Sequence, residues 1–393
     1  MGPNVAGTNT QSGSRDLTLD VAKGLGLVVV YFGHMLEKFV PLFSVAGFAQ
    51  TAVFLTWKVV YSFHMALFFI ISGIQIGRSN KSRPMTSGGA SLGSGVRKLF
   101  GNLLLRRLLP YVVFSAIGVT LNGLLGLWPE QNGQKGLEFY PGHYLDMFSG
   151  VVQPWTVQWF LISIGVIEFA LWLPRRFGWL THRKGVLIAA ISLLAVSMWW
   201  LSYPRATVPF YFHPASLGVT TSLTLLGVCG SQWFARPGGL KRLPVAIAAA
   251  SICFVSALAN VGEWTLMPPN IEQILGNRFA ILFVLGWYGN PLWFVLSALS
   301  GSLFAMIVAR EMAKLRLGLG LAAVGREGLI LFLVNGFFLA FANGPIAANL
   351  APAAGVNSAP ALVFVSLVIA IGELSLAWIV VVWWKRLRGL LLT

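Results

Sequence analysis

Near the start of the chain, an apolar run carries three ionisable residues: Asp20, Lys23 and His34, within LDVAKGLGLVVVYFGH, residues 19–34. On a helix turning about 100° per residue, the eleven positions from Lys23 to His34 make three turns plus roughly 20°. Both side chains therefore share one face, about 16 Å apart along the axis. Asp20 lies at i−3 from Lys23, where a carboxylate can pair with the ammonium. An imidazole titrating near neutrality can take a proton from an attacking hydroxyl, or carry an acyl group itself. The plainer alternative is that Asp20 and Lys23 mark a helix end, with the lysine snorkelling, and that His34 is a hydrogen-bonded structural residue. Ionisable groups inside apolar spans usually face a cavity or a partner.

A second apolar stretch, FHMALFFIISG at 63–73, opens with His64 and closes on Ser72 and Gly73. Two antiparallel helices would bring His64 and His34 to a similar depth, while the small residues would let a neighbouring helix or a ligand approach closely. Between this stretch and the next apolar run, residues 77–110 hold Arg78, Lys81, Arg83, Arg97, Lys98, Arg106 and Arg107 with no acid. Such a run either obeys the bias of basic residues towards the cytoplasm or serves a polyanionic ligand. No GxxxxGK, HExxH or CxxC pattern occurs, so ATP use and a metal centre have no anchor in the sequence.

The elements that must position these residues follow from composition. The chain is 56% hydrophobic and 10% charged, with a mean hydropathy of +0.75. A soluble domain carries about 25% charged residues. Continuous apolar runs exclude an alternating β-barrel pattern and predict an all-α, polytopic membrane bundle. Ten spans are expected, at 19–36, 59–77, 103–127, 156–173, 186–202, 217–234, 243–260, 279–308, 320–342 and 360–384, with the eighth kinked at Asn290-Pro291. Segment 42–57, short and flanked by Pro41 and Lys58, reads as an interfacial or re-entrant piece. With the N-terminus inside, all but Lys38, Lys58, Lys135, Arg205 and Arg278 of the 28 basic residues fall on the cytoplasmic side. Both termini are thus expected in the cytoplasm. The net charge of +16 is largely this topology signal, with anionic lipid as its default partner and no nucleic acid implied. Residues 1–14 are expected to be a disordered tail, 15–388 one transmembrane domain and 389–393 a short tail. Cys229 and Cys253, each in an apolar run, do not suggest a disulfide.

Taken together, these stretches resemble membrane acyltransferase family 3, which includes bacterial O-acetyltransferases of surface and exported polysaccharides. Lys23 to His34 matches the family's basic residue, ten intervening positions and histidine. FHMALFFIISG matches its FhMplFFflSG element, with Ala66 in place of proline. RRLLPY at 106–111 and QWFL at 158–161, which contains Trp159, resemble further elements. GREGLILFLVN at 325–335 is similar to a late motif, G-x-x-S-L-x-x-Y-x-x-H, with Gly328, Phe332 and Asn335 replacing its serine, tyrosine and histidine. No SGNH-type domain follows, as in the stand-alone form of the family.

The resemblance implies an acyl-CoA-dependent O-acyltransferase of the bacterial inner membrane. Its acyl donor would be acetyl-CoA, with phosphates held by Arg78, Arg97, Lys98, Arg106, Arg107 or Arg326, and its acceptor a glycan hydroxyl, free or lipid-linked. His34 would be general base or acyl relay, Lys23 would neutralise the donor or hold the hairpin, and Asp20 would fix Lys23. His64 or Asn335 would donate to the oxyanion, with Trp159 on the acceptor side and Ser72 and Gly73 packed closely at the site. The competing readings are a secondary transporter or flippase, for which no internal repeat is visible, and a non-catalytic scaffold.

Overall fold

The structure, a computed structural model, describes residues 17–40, 48–82, 92–126, 157, 159–201, 214–234, 242–260, 281, 283, 286–354 and 359–391. The expected tail at 1–14 lies outside these residues, as do 392–393 of the tail expected at 389–393, whereas 389–391 continue the last helix. Every regular element longer than a single bridge is helical among them. Among the described residues, seven helices are long and apolar enough to cross a membrane: Thr18–Phe39, Ala52–Ser79, Gly95–Leu125, Arg183–Trp200, Pro291–Met312, Gly328–Leu350 and Pro360–Leu387. Two shorter apolar helices, Ser216–Gly230 and Leu243–Ala259, lie where the sequence placed its sixth and seventh spans.

Four helices frame the site. Helix α1 (Thr18–Phe39) runs antiparallel to α2 (Phe48–Ser82). The pairing is close because glycines face it: a Cβ on Gly26 would lie 2.9 Å from the Phe68 ring, and one on Gly33 2.8 Å from Val60 Cγ1. Helix α2 continues unbroken through residues 48–57, so that part of segment 42–57 is not the separate interfacial piece the sequence suggested; residues 42–47 lie outside the description. Lys58 had marked the boundary. Its ammonium is buried and donates to the Leu258 carbonyl at 3.3 Å, so the charge finds a partner inside the bundle and the helix need not end there.

Helix α3 (Leu92–Leu103) passes through a π turn, Leu104–Leu108, into α4 (Leu109–Leu125), which closes on Gly126 in the left-handed region (φ 68°). Helices α5 (Trp159–Arg176), α6 (Arg183–Leu201), α7 (Pro214–Gly230) and α8 (Arg242–Ala259) follow. On α7, the backbone meets α2 at Gly73 and Gly227: a Cβ on Gly73 would lie 1.8 Å from the Thr224 carbonyl oxygen. The closing elements are α9 (Pro291–Met312), α10 (Arg316–Arg326), α11 (Gly328–Phe337), a second π turn at Phe338–Ala342, α12 (Asn343–Ala354) and α13 (Ala359–Leu391).

Two expectations are corrected in this region. Asn290-Pro291 begins α9 instead of kinking a longer span. Pro291 occupies the first turn, where its missing N–H costs nothing, and the Asn290 side chain accepts from the Leu292 and Trp293 amides at 3.0 and 3.4 Å. The span expected at 320–342 is divided at Glu327, and the spanning helix is Gly328–Leu350. Glu327 leaves helical geometry (φ −93°, ψ 11°) and pairs with Lys385 at 2.5 Å, so the charged Arg326-Glu327 step sits at the bundle's basic end. Helix α10 lies against the start of α1, where a Cβ on Gly24 or Gly325 would come within 2.0 and 1.8 Å of the Leu321 and Asp20 carbonyl oxygens.

Candidate active site

The register of α1 brings its polar face against α11. One turn apart, two hydrogen bonds link these helices. The Tyr31 hydroxyl donates to the Leu331 carbonyl at 2.7 Å, and the His34 ring is bonded to the Asn335 side chain. The second contact joins His34 Nδ1 to Asn335 Oδ1. An amide oxygen only accepts, so the proton lies on Nδ1 and Nε2 keeps a free lone pair. Asn335 is fully buried, and its Nδ2, the donor half of the amide, has no partner. Of the three residues that depart from the family's late motif, Asn335 thus bonds the histidine of the first.

His64 stands across from this pair, as the antiparallel register predicts. Its ring centroid lies 6.5 Å from that of His34, edge to face, and both residues are buried. His64 Nδ1 donates to the Val60 carbonyl at 3.0 Å, which leaves its Nε2 bare as well. A neutral His64 in this tautomer has no ring N–H to offer an oxyanion. The Tyr61 ring packs on both imidazoles, with centroids 6.1 Å from His34 and 4.7 Å from His64. Its hydroxyl donates to Glu37 Oε2 at 2.5 Å. Glu37, part-exposed, and Trp57, 5.0 Å from the Tyr61 ring, extend the cluster towards the end of the bundle opposite the basic one. Tyr61, Glu37 and Trp57 were not singled out in the sequence, although a Trp-x₃-Tyr-x₂-His face at helical spacing was there to be read.

Asp20 and Lys23 pair at 3.7 Å near the basic end, with Asp20 buried and the lysine part-exposed. They share α1 with His34 but stand three turns away from it. Three rings lie between the two levels. Phe68, Phe160 and Phe332 pack mutually, with centroids 5.8, 6.3 and 5.0 Å apart. Phe332 is one turn before Asn335, and Phe68 one turn after His64. Trp159 belongs to the neighbouring aromatic packing, 6.1 Å from Phe69 and stacked on Phe283 at 6.4 Å, and it is buried there.

On the basic side of these rings, a cavity of about 310 Å³ opens among α2, the first π turn, α5 and α7, lined by Ser72, Gln75, Ser79, Arg107, Glu168 and Arg175 along with apolar side chains. Of the basic residues proposed for a donor, Arg107 reaches this cavity. Arg78 lies against the Phe234 carbonyl at 3.5 Å, Arg97 and Arg106 are exposed, and Arg326 donates to Ala322 of its own helix. The Lys98 side chain lies outside the description. Ser72 lines the cavity while its hydroxyl donates to Phe68, and Gly73 makes the close α2–α7 contact. Arg175 and Glu168 were read as topology or passed over, although an acid within the apolar run ISIGVIEFALW is a sign of a buried partner.

One more buried acid, Glu373 on α13, meets Asn343, whose amide donates to Glu373 Oε1 at 2.6 Å and to the Phe338 carbonyl at 2.9 Å at the second π turn.

Comparisons with known proteins bear on the family of the chain. Over 210 residues the chain is 26% identical to nodulation protein NolL of Mesorhizobium japonicum, a match covering 53% of this chain and 49% of that protein. The chain thus spans about half the length of this relative. No solved structure matches it. Residues 16–383, from before α1 to near the end of α13 and including every member of the histidine cluster, match the acyltransferase domain family, and the chain belongs to that family of membrane acyltransferases.

Proposed function

We propose that this protein is an O-acyltransferase of a bacterial inner membrane that moves an acetyl or related acyl group from a cytosolic acyl-CoA to a sugar hydroxyl of an exported glycan or its lipid-linked precursor. One observation carries the reading: a buried imidazole whose Nδ1–H is committed to Asn335 and whose Nε2 is left as a base. The basic end of the bundle faces the cytoplasm in this reading, in keeping with ten spans and both termini inside. Glu37 and Tyr61 then border the acceptor's mouth.

Chemically, the acceptor hydroxyl gives its proton to His34 Nε2 as its oxygen bonds to the thioester carbonyl carbon. The electron pair driven onto the carbonyl oxygen forms an oxyanion, and the Asn335 Nδ2–H group, which has no partner in the structure, is the donor assigned to it in this reading. The intermediate collapses by breaking the carbon–sulfur bond, and the thiolate takes the proton back from Nε2. No net proton is made or consumed. Asn335 Oδ1 holds the ring while it is positively charged, and Lys23, paired with Asp20, stands where the donor's arm would pass.

Membranes containing the protein, labelled acetyl-CoA and candidate glycans test the reading. Label reaching glycan with wild type and falling by about 10² to 10⁴ with His34→Ala is the expected result. Protein-dependent movement of unmodified glycan with no transfer of label would replace it with the flippase reading.

A further inference from the structure

The cavity at the basic end has a task that the histidine chemistry does not supply. Arg107 spans Glu168 with two contacts, Nε to Oε2 at 3.3 Å and Nη2 to Oε1 at 2.5 Å. Arg175 donates to the Ser79 hydroxyl at 2.8 Å, a neutral partner for a half-buried cation. Two guanidiniums thus face one carboxylate, and the lining is net positive. Glu168 lies seven residues before Arg175 on α5, about 10 Å deeper by helical rise. An ionised pair at that depth marks a ligand path more often than a structural bond. Gln75, Ser72 and Ser79 add polar groups to the same wall. At about 310 Å³ the cavity is at the small end of ligand sites, which suits a phosphate or diphosphate group and not a whole nucleotide.

We propose that this cavity binds a phosphate ester between Arg107 and Arg175, and that Glu168 is a resident counter-anion which the incoming phosphate displaces. Guanidiniums bind phosphate through paired N–H donors, the same geometry that Arg107 now offers the carboxylate. The phosphate arrives from the basic side, either on an acyl-CoA or on an anionic lipid headgroup. Assigning it to the acyl donor rests on the transferase reading, whereas the anion site itself does not.

The test uses the full chain in phosphatidylcholine nanodiscs, with calorimetric binding of coenzyme A and of inorganic pyrophosphate to wild type, Arg175→Gln, Arg107→Gln and Glu168→Gln. Arg175→Gln is expected to weaken binding about tenfold or more and to flatten its salt dependence. Glu168→Gln, by removing the competitor, is expected to tighten binding about two- to fivefold. Because Arg107→Gln leaves Glu168 unpaired and can unfold the helix pair, the double variant with Glu168→Gln serves as its folded counterpart. Should Glu168→Gln leave binding unchanged or weaken it like the arginine variants, the pair is structural and the proposal falls. It falls equally if neither coenzyme A, pyrophosphate nor phosphatidylglycerol engages the wild type. Stabilisation by phosphatidylglycerol that Arg175→Gln abolishes, without coenzyme A binding, supports the site with lipid as its source. Binding without glycan labelling keeps the site and removes the transferase reading. Labelling with an unchanged donor KM in Arg175→Gln and Glu168→Gln does the reverse.

Discussion

His34 and Asn335, 301 positions apart in the chain, meet in the buried centre of the bundle through the ring Nδ1–H and the amide oxygen. That one contact fixes which nitrogen of the imidazole is free, and it leaves the amide's Nδ2 without a partner. The two functions of Asn335 are separable. Asn335→Asp keeps an oxygen for the imidazole but loses the N–H donor. If the amide stabilises the oxyanion, kcat should fall about 10²- to 10³-fold with little change in donor KM. A role confined to holding the ring predicts activity near wild type in the same steady-state assay.

His64 tests the tautomer argument from the other side. With Nδ1–H given to the Val60 carbonyl, its ring has no second proton to offer. His64→Gln restores a donor and an acceptor in a similar volume. We expect it to retain transfer within about tenfold of wild type, since no N–H···oxyanion bond is lost. A loss as deep as that of His34→Ala, in folded protein, would make His64 a second essential base.

Tyr61→Phe removes the hydroxyl from Glu37 and leaves the ring against both histidines. The loss of one hydrogen bond at the acceptor's mouth should raise acceptor KM about two- to tenfold, with donor KM unchanged. Varying each substrate separately separates these effects.

Packing makes a stronger forecast. A Cβ at Gly325 would stand 1.8 Å from the Asp20 carbonyl oxygen, and one at Gly24 2.0 Å from that of Leu321. Backbone cannot retreat as a side chain can, so Gly325→Ala must push α10 off α1, at a cost of about 3 kcal/mol or more. Thermal unfolding in detergent should show a clear drop. Gly320→Ala, on the same helix with open space around it, should show none.

How much of this was readable from residues alone depended on range. The Lys23–His34 face, the depth of His64 and the α1–α2 hairpin followed from helical spacing and from adjacency along the chain. Asn335 could be aligned with a motif, but its bond to His34 depends on how α11 docks on α1, and no local periodicity encodes that. Lys58 misled because a lone cation in an apolar run reads as a boundary; its partner, the Leu258 carbonyl, is 200 residues away. Pro291 misled for a related reason: a proline inside an apolar run fits a kink or a start equally, and the capping bonds of Asn290 decide for a start. Arg175 was hidden by its own abundance class, one more basic residue at the end of a span. Its bond to Ser79 joins α5 to α2.

The interlocked rings of Phe68, Phe160 and Phe332 carry one further consequence. A wet tube through a membrane-spanning bundle would short-circuit the ion gradients held across that membrane. The three packed rings set apolar surface between the histidine cluster and the basic end. In the proposed transfer, a thioester tail coming from the basic end would have to displace these rings to reach the imidazole, and a brief opening would keep such a leak small.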